Sequence, residues 1–560
     1  MKSRTSFFNV TVLRKNLTRF APLWALTAIF EVLCLMTDVM LDPKDMAWSI
    51  LIAMNAMAIP TMIYAACVAA CVFGDLFNSR LCNGLHAMPL RREGWMLTNL
   101  ASGFLFALIP SVVGGTVAAV IMKEYSWIAL LWQGIILLQF VFFFGVAVFS
   151  AVCTGKRSGM MAIYVLINFL SVLIYWIAQL FYEHLLRGVV LSQVAFTRFS
   201  PLITMSGAEY VQYEYSKIPK ISLDAINIQI QDWNYLFICA GVGIVFLALS
   251  WLLYRKRHLE TAGDFISFRP IKIVFLLAYT FAVGAFFYSV FGAFDAEEGK
   301  YGYLVVGVLV GWFTGWMLLE RTVKVFTKKV ILGLVAFGLL FSGSMVLTAS
   351  DFMKIAVYVP DAKDIESVCL YTDHDSYYYD YAWELGGWYR TEPEEIARVQ
   401  QLHLQMIDTP DVQGAETIST SVRYQLKNGR EIHRTYEIPV KSQTAEDLSC
   451  SLSDVRAVLN TNDNWETMRE NIQSIKIRWN SDRPTTTISA AQKEQMEDIL
   501  DAFEADYLAG NMAQHGGFQK YDVSIAGIEI TWDDQEYGNR IEYVTIYASC
   551  DHLYVLLRQM

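Results

Sequence analysis

The sequence predicts an all-α polytopic membrane bundle of about nine transmembrane helices, followed by a C-terminal soluble α+β domain. Two observations predict it. Nine long apolar stretches fill the chain up to residue 348, with charges held at their ends, and no such stretch follows. The charge balance turns at the same point. Residues 1–348 hold 26 Lys and Arg against 18 Asp and Glu, net +8, whereas residues 349–560 hold 18 against 36, net −18. A large soluble protein with buried helices does not keep its charges so strictly at segment ends.

A helix needs about 20 apolar residues to cross the hydrocarbon core. The stretches at 20–41, 46–73, 95–121, 126–152, 159–181, 233–254, 270–292, 301–318 and 330–348 meet that length or come close to it. The eighth is the shortest. Only Met122–Tyr125 separates the third from the fourth.

Lys and Arg concentrate in cytoplasmic loops, which sets orientation. With the N-terminus inside, the inner loops 1–19, 74–94, 153–158, 255–269 and 319–329 hold 18 cations. The outer loops 42–45, 122–125, 182–232 and 293–300 hold 7. An odd number of spans then puts residues 349–560 outside. The basic start followed by Phe20–Leu41 reads as a retained signal anchor, being too long for a cleaved leader. Phe7, Phe8, Val10, Val12, Leu13 and Leu17 alternate with polar residues, so residues 5–19 are expected to form an amphipathic helix on the inner membrane surface.

Several chemistries have no motif here. There is no His-Glu-x-x-His and no Gly-x-Ser-x-Gly. Thr154-Gly155-Lys156-Arg157-Ser158 resembles the end of a phosphate-binding loop, but that loop needs Gly where Ser150 stands and Ser or Thr where Arg157 stands. The stretch reads as a short inner loop whose cations fix topology. Asp373-His374-Asp375-Ser376-Tyr377-Tyr378-Tyr379-Asp380 lacks the spacing and glycine of a calcium loop and reads as solvated. No metal site and no catalytic residue is expected.

Two features are candidates for function. Glu31 lies near the middle of the first span and Asp38 near its outer end. A carboxylate at membrane depth usually faces the bundle interior. Glu31 and Asp38 are therefore candidates for a translocation path, with interhelical packing as the plainer reading. The second feature is the loop 74–94, with Met88-Pro89-Leu90-Arg91-Arg92-Glu93 just before the third span. Pro suits the start of a new helix. The paired arginines suit either an acidic surface on a cytoplasmic partner or a plain topology anchor.

The turn Met88-Pro89-Leu90-Arg91-Arg92 resembles the coupling-helix loop in permease subunits of type-2 ABC exporters of Gram-positive bacteria. Tyr254-Arg255-Lys256-Arg257-His258-Leu259-Glu260-Thr261-Ala262-Gly263-Asp264 is similar to a segment of the acetoin-utilisation-type subgroup of that family, which has extra spans and a C-terminal domain. The resemblance implies a six-span core (20–254) with a helical outer loop 182–232, three additional spans (255–348) and an extracytoplasmic domain (349–560). It implies a separate ABC ATP-binding subunit that holds ATP and Mg, so that this chain binds no cofactor and is not itself an enzyme. That subunit would meet Met88 to Glu93 and, as a second cytoplasmic contact, Arg255, Arg257, Glu260 and Gly263. A second permease subunit, identical or related, would complete the path in the plasma membrane. The motifs say nothing about cargo.

The C-terminal part mixes patterns. Ile355–Val359, Ser367–Tyr371 and Ile475–Trp479 read as strands, and Tyr521–Trp532 with Ile541–Ala548 as a closing pair. Glu392–Ile407 and Ala490–Leu508 read as helices, the first led by Pro393. Val422–Ile438 reads as a hairpin, with Asn428-Gly429 in a type I′ turn. One antiparallel sheet is expected. Cys369, Cys450 and Cys550 are an odd, widely spaced set, which speaks against a disulfide framework. A net charge of −18 disfavours nucleic acid and anionic headgroups and favours a cationic ligand or basic partner. Outside the transport reading, the alternative is a membrane-anchored sensor whose acidic outer domain binds a ligand or partner.

Overall fold

A computed structural model of the chain describes residues 8–36, 50, 54–86, 91–191, 199–207, 211–212, 227–228, 230–258, 261–292, 297–372, 391–410, 417–439, 442–444, 469, 471–479, 485–508, 524–534, 538–547 and 550–559. The expectations placed on Asp38, Met88, Pro89, Leu90, Glu260, Cys450 and the run from Asp373 to Asp380 fall outside that set. The chain forms two compact units. The first comprises Met1–Ala178 and Gln193–Phe341, the second Gln179–Ser192 and Ser342–Met560.

The first unit is helical. In chain order its helices are α1 (Val10–Arg19), α2 (Ala21–Met36), α3 (Ala58–Val72), α4 (Ser79–His86), α5 (Arg92–Met122), α6 (Ser126–Cys153), α7 (Arg157–Asn168), α8 (Leu170–Tyr182), α9 (Pro201–Gly207), α10 (Ile230–Lys256), α11 (Arg269–Gly292), α12 (Glu297–Glu320) and α13 (Lys328–Ala349). Helices α8 and α13 run on into the second unit. Among the described residues six helices, α5, α6 and α10 to α13, are long and apolar enough to cross a membrane. Helices α2 and α3 are apolar but shorter. The expected fifth span is broken: α7 and α8 meet at 57° around Phe169. Buried Asn168 explains the break, since its side-chain amide donates to the Tyr164 carbonyl one turn back. Such a side chain intrudes on the helix ladder and bends it.

Helix α6 is apolar all round and enclosed along most of its length, as a central helix must be. It crosses α10 at glycine: a Cβ on Gly145 would lie 2.3 Å from the Gly243 carbonyl oxygen. Small residues at such a crossing let backbones approach. Phe144 fills the space left by Gly103 on α5, where a Cβ would sit 2.2 Å from the ring. Helix α13 is the opposite case, exposed almost throughout although apolar. Pro110 interrupts the ladder of α5 and cannot donate to the Phe106 carbonyl. Tyr64 on α3 donates its hydroxyl to that carbonyl at 2.6 Å. The expected N-terminal amphipathic helix begins at Val10, with Asn9 capping the Val12 N–H. Its buried Asn16 donates to Asn99 and Ser102 of α5.

Where one helical outer loop was expected, the described parts of 182–232 hold strand β1 (Val189–Val190), the single short helix α9 and a strand pair, β2 (Val211–Gln212) with β3 (Asn227–Ile228).

The second unit holds two four-stranded antiparallel sheets rather than one. The first has the order β1-β6-β5-β4, with β4 Ile365–Thr372, β5 Thr417–Leu426 and β6 Glu431–Pro439. Helix α14 (Pro393–Asp408) begins on Pro393 as expected and buries Ile396, Val399, Leu402, His403 and Met406. That spacing lines one helical face. The 422–438 hairpin forms, with Val422 opposite Arg434. Its turn differs from the expectation: Gly429 has φ +77 but Asn428 stays negative, and Gly429 donates to Leu426 at 2.8 Å. A hydrogen-bonded turn closed by a left-handed glycine replaces type I′. Ile355–Val359 is not a strand, because Asp351 takes the Ile355 and Ala356 N–H groups into a local turn.

The second sheet has the order β10-β9-β7-β8, from β7 (Ile472–Trp479), β8 (Thr486–Ser489), β9 (Ser524–Asp534) and β10 (Gly538–Tyr547). Its core joins Ile475, Ile477, Ile488, Ala526, Ile528 and Ile530 to α15 (Lys493–Leu508) and α16 (Asp551–Gln559). Period-2 burial along β9 marks a sheet with one covered face. Asp506 on α15, itself buried, accepts the His552 and Leu553 N–H groups and so caps α16.

Candidate functional site

Two loops far apart in sequence, 74–94 and 255–269, meet at one end of the first unit. The meeting begins with the C-terminus of α6. The last carbonyls of a helix have no partner within it. Arg257 is buried and donates from Nη1 to the carbonyls of Ala151 and Val152 at 3.1 and 3.0 Å. A cation there also suits the negative end of the helix dipole. Its Nη2 donates to the Leu76 carbonyl at 3.1 Å, in the 3-10 turn Gly74–Phe77. One guanidinium thus ties the first loop to the end of the central helix.

Backbone pairing reinforces the tie. Gly155 donates to Asp264, Gly263 to Gly155 and Ser267 to Cys153, all at 2.8 to 2.9 Å. The approach is close enough that a Cβ on Gly155 would lie 2.1 Å from the Thr261 oxygen. Gly263 has φ +101, a region L side chains avoid. Ser79, which opens α4, donates to the Ala262 carbonyl at 2.8 Å.

A layer of aromatic rings lies beside these ties. Tyr254 stacks on Trp95 with centroids 5.5 Å apart, and Phe73 meets Trp95 edge-on at 5.7 Å. Toward solvent, Glu93 and Arg255 pair at 3.6 Å. Arg91, Arg92, Glu93, Trp251 and Arg255 line one open cavity. Arg321 adds an exposed pair with Asp264 at 3.3 Å.

Half-buried Asp75 follows Gly74 in the same turn. Burial pushes its carboxyl up to about 7, against the opposing pull of nearby N–H groups, Arg257 and Arg19. Burial also lowers the Arg257 guanidinium from its usual range.

Of the residues singled out in the sequence, Arg91, Arg92, Glu93 and Arg255 come together at an exposed surface. Gly263 lies in the backbone tie. Arg257 is turned inward, so its guanidinium serves the fold and leaves the exposed surface to its neighbours. Glu31 lies elsewhere, inside the bundle, where it accepts from Gln133 at 3.3 Å and lies over Gly114. Sequence reasoning missed Gly155 and Gly159. A Cβ on Gly159 would sit 2.3 Å from the Phe265 oxygen. Two glycines within five residues of a short basic loop were the available signal.

No protein-family model matches the chain, and no curated protein does.

Proposed function

We propose that the chain is the permease subunit of an ABC-2-type exporter. In this reading the bundle crosses the plasma membrane nine times, with the N-terminus inside and residues 349–560 outside. ATP hydrolysis belongs to a separate ATP-binding subunit, which seats on the 74–94 loop through Arg91 and Arg92, with Arg255 beside them. A second permease subunit completes the path, and Glu31 is the candidate path residue within the bundle.

The observation that supports the reading is the tie made by Arg257. A loop that receives force must be coupled to the spans it moves. Arg257 joins the 74–77 turn to the end of α6, and Glu93 with Arg255 joins the start of α5 to the end of α10. A push on the loop therefore acts on three long helices together rather than on a slack connection. Pre-organised contacts of this kind transmit small shifts because packed elements move as units.

Affinity capture from mildly solubilised membranes tests this. The wild-type chain is expected to retain an ATPase subunit, and Arg91→Glu/Arg92→Glu is expected to release it. Well-folded protein that retains no ATPase in either form would refute the reading.

A further inference from the structure

We infer that the cavity between the start of α5 and the end of α10 is a binding site for the phosphate headgroup of an anionic phospholipid. The cavity is about 550 Å³ and is lined by Arg91, Arg92, Glu93, Trp251 and Arg255. Three arginines and one glutamate are among the lining residues, so the lining has a net positive formal charge. Glu93 pairs with Arg255 at 3.6 Å across the cavity lining. Guanidinium forks match phosphate oxygens geometrically. No side chain caps the start of α5, so the positive end of its dipole adds to the field.

The position selects a lipid over a soluble anion. Both α5 and α10 are long and apolar enough to span, and the cavity lies where one begins and the other ends. That is the headgroup level of a bilayer. Trp251, one turn before Arg255, is the residue type enriched at that depth. About one turn into the spans from Glu93 and Arg255 lie Leu97 on α5 and Leu252 on α10, exposed by 40 % and 55 %. Arginines above and exposed leucines below match a headgroup with its acyl chains. Basic clusters between spans at this level attract anionic lipids. These are the same arginines on which the proposed ATP-binding subunit would seat, so the lipid site is proposed for the chain without that subunit, and the test uses the chain alone.

The test is a native mass-spectrometry titration of the purified full chain in detergent. The probes are phosphatidylglycerol and phosphatidylcholine of the same acyl chains, with glycerol 3-phosphate as a soluble competitor. Each arginine near an anionic surface adds on the order of 1 kcal/mol, so wild type is expected to prefer phosphatidylglycerol by about tenfold. Arg92→Gln/Arg255→Gln is expected to abolish the preference. Lys328→Gln/Lys329→Gln, at the start of α13, is expected to keep it. Glu93→Gln removes the competing carboxylate and is expected to strengthen phosphatidylglycerol binding by about threefold, a gain that misfolding cannot imitate. Should the double arginine variant fail to fold, the Glu93→Gln titration decides alone. Equal retention of the two lipids by wild type overturns the proposal. So does a preference lost equally in the lysine variant, or unchanged in Glu93→Gln. Displacement by glycerol 3-phosphate at the concentration of the lipid would assign the site to a soluble phosphate ester instead.

Discussion

The Arg257 guanidinium and the Leu76 carbonyl oxygen lie 3.1 Å apart although 181 positions separate them in the chain. The bond closes one end of the first unit, because the same side chain also caps α6. Arg257→Ala would remove the side-chain donor from three buried carbonyls, of which that of Ala151 keeps the Thr154 N–H at 3.4 Å. The expected cost is on the order of 3 kcal/mol, read as a lower melting temperature and faster proteolysis within 74–94. Arg257→Lys is expected to recover only part of this, since an ammonium cannot reproduce the fork. An unchanged melting temperature in Arg257→Ala would contradict the assignment.

Tyr64 and Pro110 make a second testable pair. Tyr64→Phe leaves the Phe106 carbonyl without its donor and is expected to destabilise by about 1–2 kcal/mol. In a Pro110→Ala background the restored N–H at 110 serves that carbonyl, so the same change should cost little. A double-mutant cycle with no coupling would show that the hydroxyl is not compensating the proline.

Asp75 predicts a loss of stability between acid pH and neutrality. Its folded pKa, about 7, lies above its ordinary value, so folding favours the protonated carboxyl. The associated stability is complete at pH values below the ordinary carboxylate range. It is lost as pH rises toward and through 7. Asp75→Asn removes that penalty and is expected to raise the melting temperature at pH 8 while changing little at pH 4. The reverse ordering would show the carboxylate to be held ionised.

His403 predicts the opposite slope in the second unit. Its ring is fully buried, 3.0 Å from the hydroxyls of both Tyr424 and Tyr436. A neutral ring donates to one of them and accepts from the other. Burial, with Arg434 nearby, pulls its pKa down to about 4, and burial with Arg423 and Arg434 does the same to His433. The fold therefore disfavours protonation. Stability is complete above about 6.5 and is lost as pH falls to 4, by on the order of 2 kcal/mol for each ring. Amide exchange in β5 and β6 should accelerate over that window. His403→Gln should remove about half of the response, His433 carrying the rest, and an identical response in that variant would sink the account.

Gly155 and Gly84 form a steric contrast. A Cβ at 155 meets backbone, while one at 84 meets nothing within 4 Å. Gly155→Ala is expected to lose several kcal/mol or fail to fold, because backbone atoms cannot step aside. Gly84→Ala in α4 should be neutral or mildly stabilising, by up to about 1 kcal/mol. Comparable expression of the two variants would argue against the close pairing of 155 with 261–264.

The long apolar helices were legible because bilayer thickness imposes a length that composition alone reveals. The hairpin at 422–438 was legible for a similar reason, since turn chemistry is local. Its turn type was not, because Asn428-Gly429 suits more than one geometry and the observed one places only Gly429 at positive φ. Ile355–Val359 had strand-like residues, yet the carboxylate of Asp351 captured their first N–H groups. At the candidate site the basic loops were visible as charge. Which of the adjacent cations 255, 256 and 257 turns inward was not, because only tertiary packing brings the α6 carbonyls and Leu76 to Arg257. The bend at Phe169 depended on one asparagine whose preference for back-bonding competes with an otherwise apolar helix.

Strand β1 is only two residues long, yet it pairs Val189 with Arg434 and Val190 with His433 along the outer side of β6. Gly188 extends the seal by accepting from Thr435 at 3.0 Å. A fragment excised at the hydropathy break, from 349 onward, would leave those β6 groups bare. Bare strand edges recruit other chains. Such a fragment is therefore prone to self-association in solution, and fusing residues 179–192 back onto it supplies the missing edge.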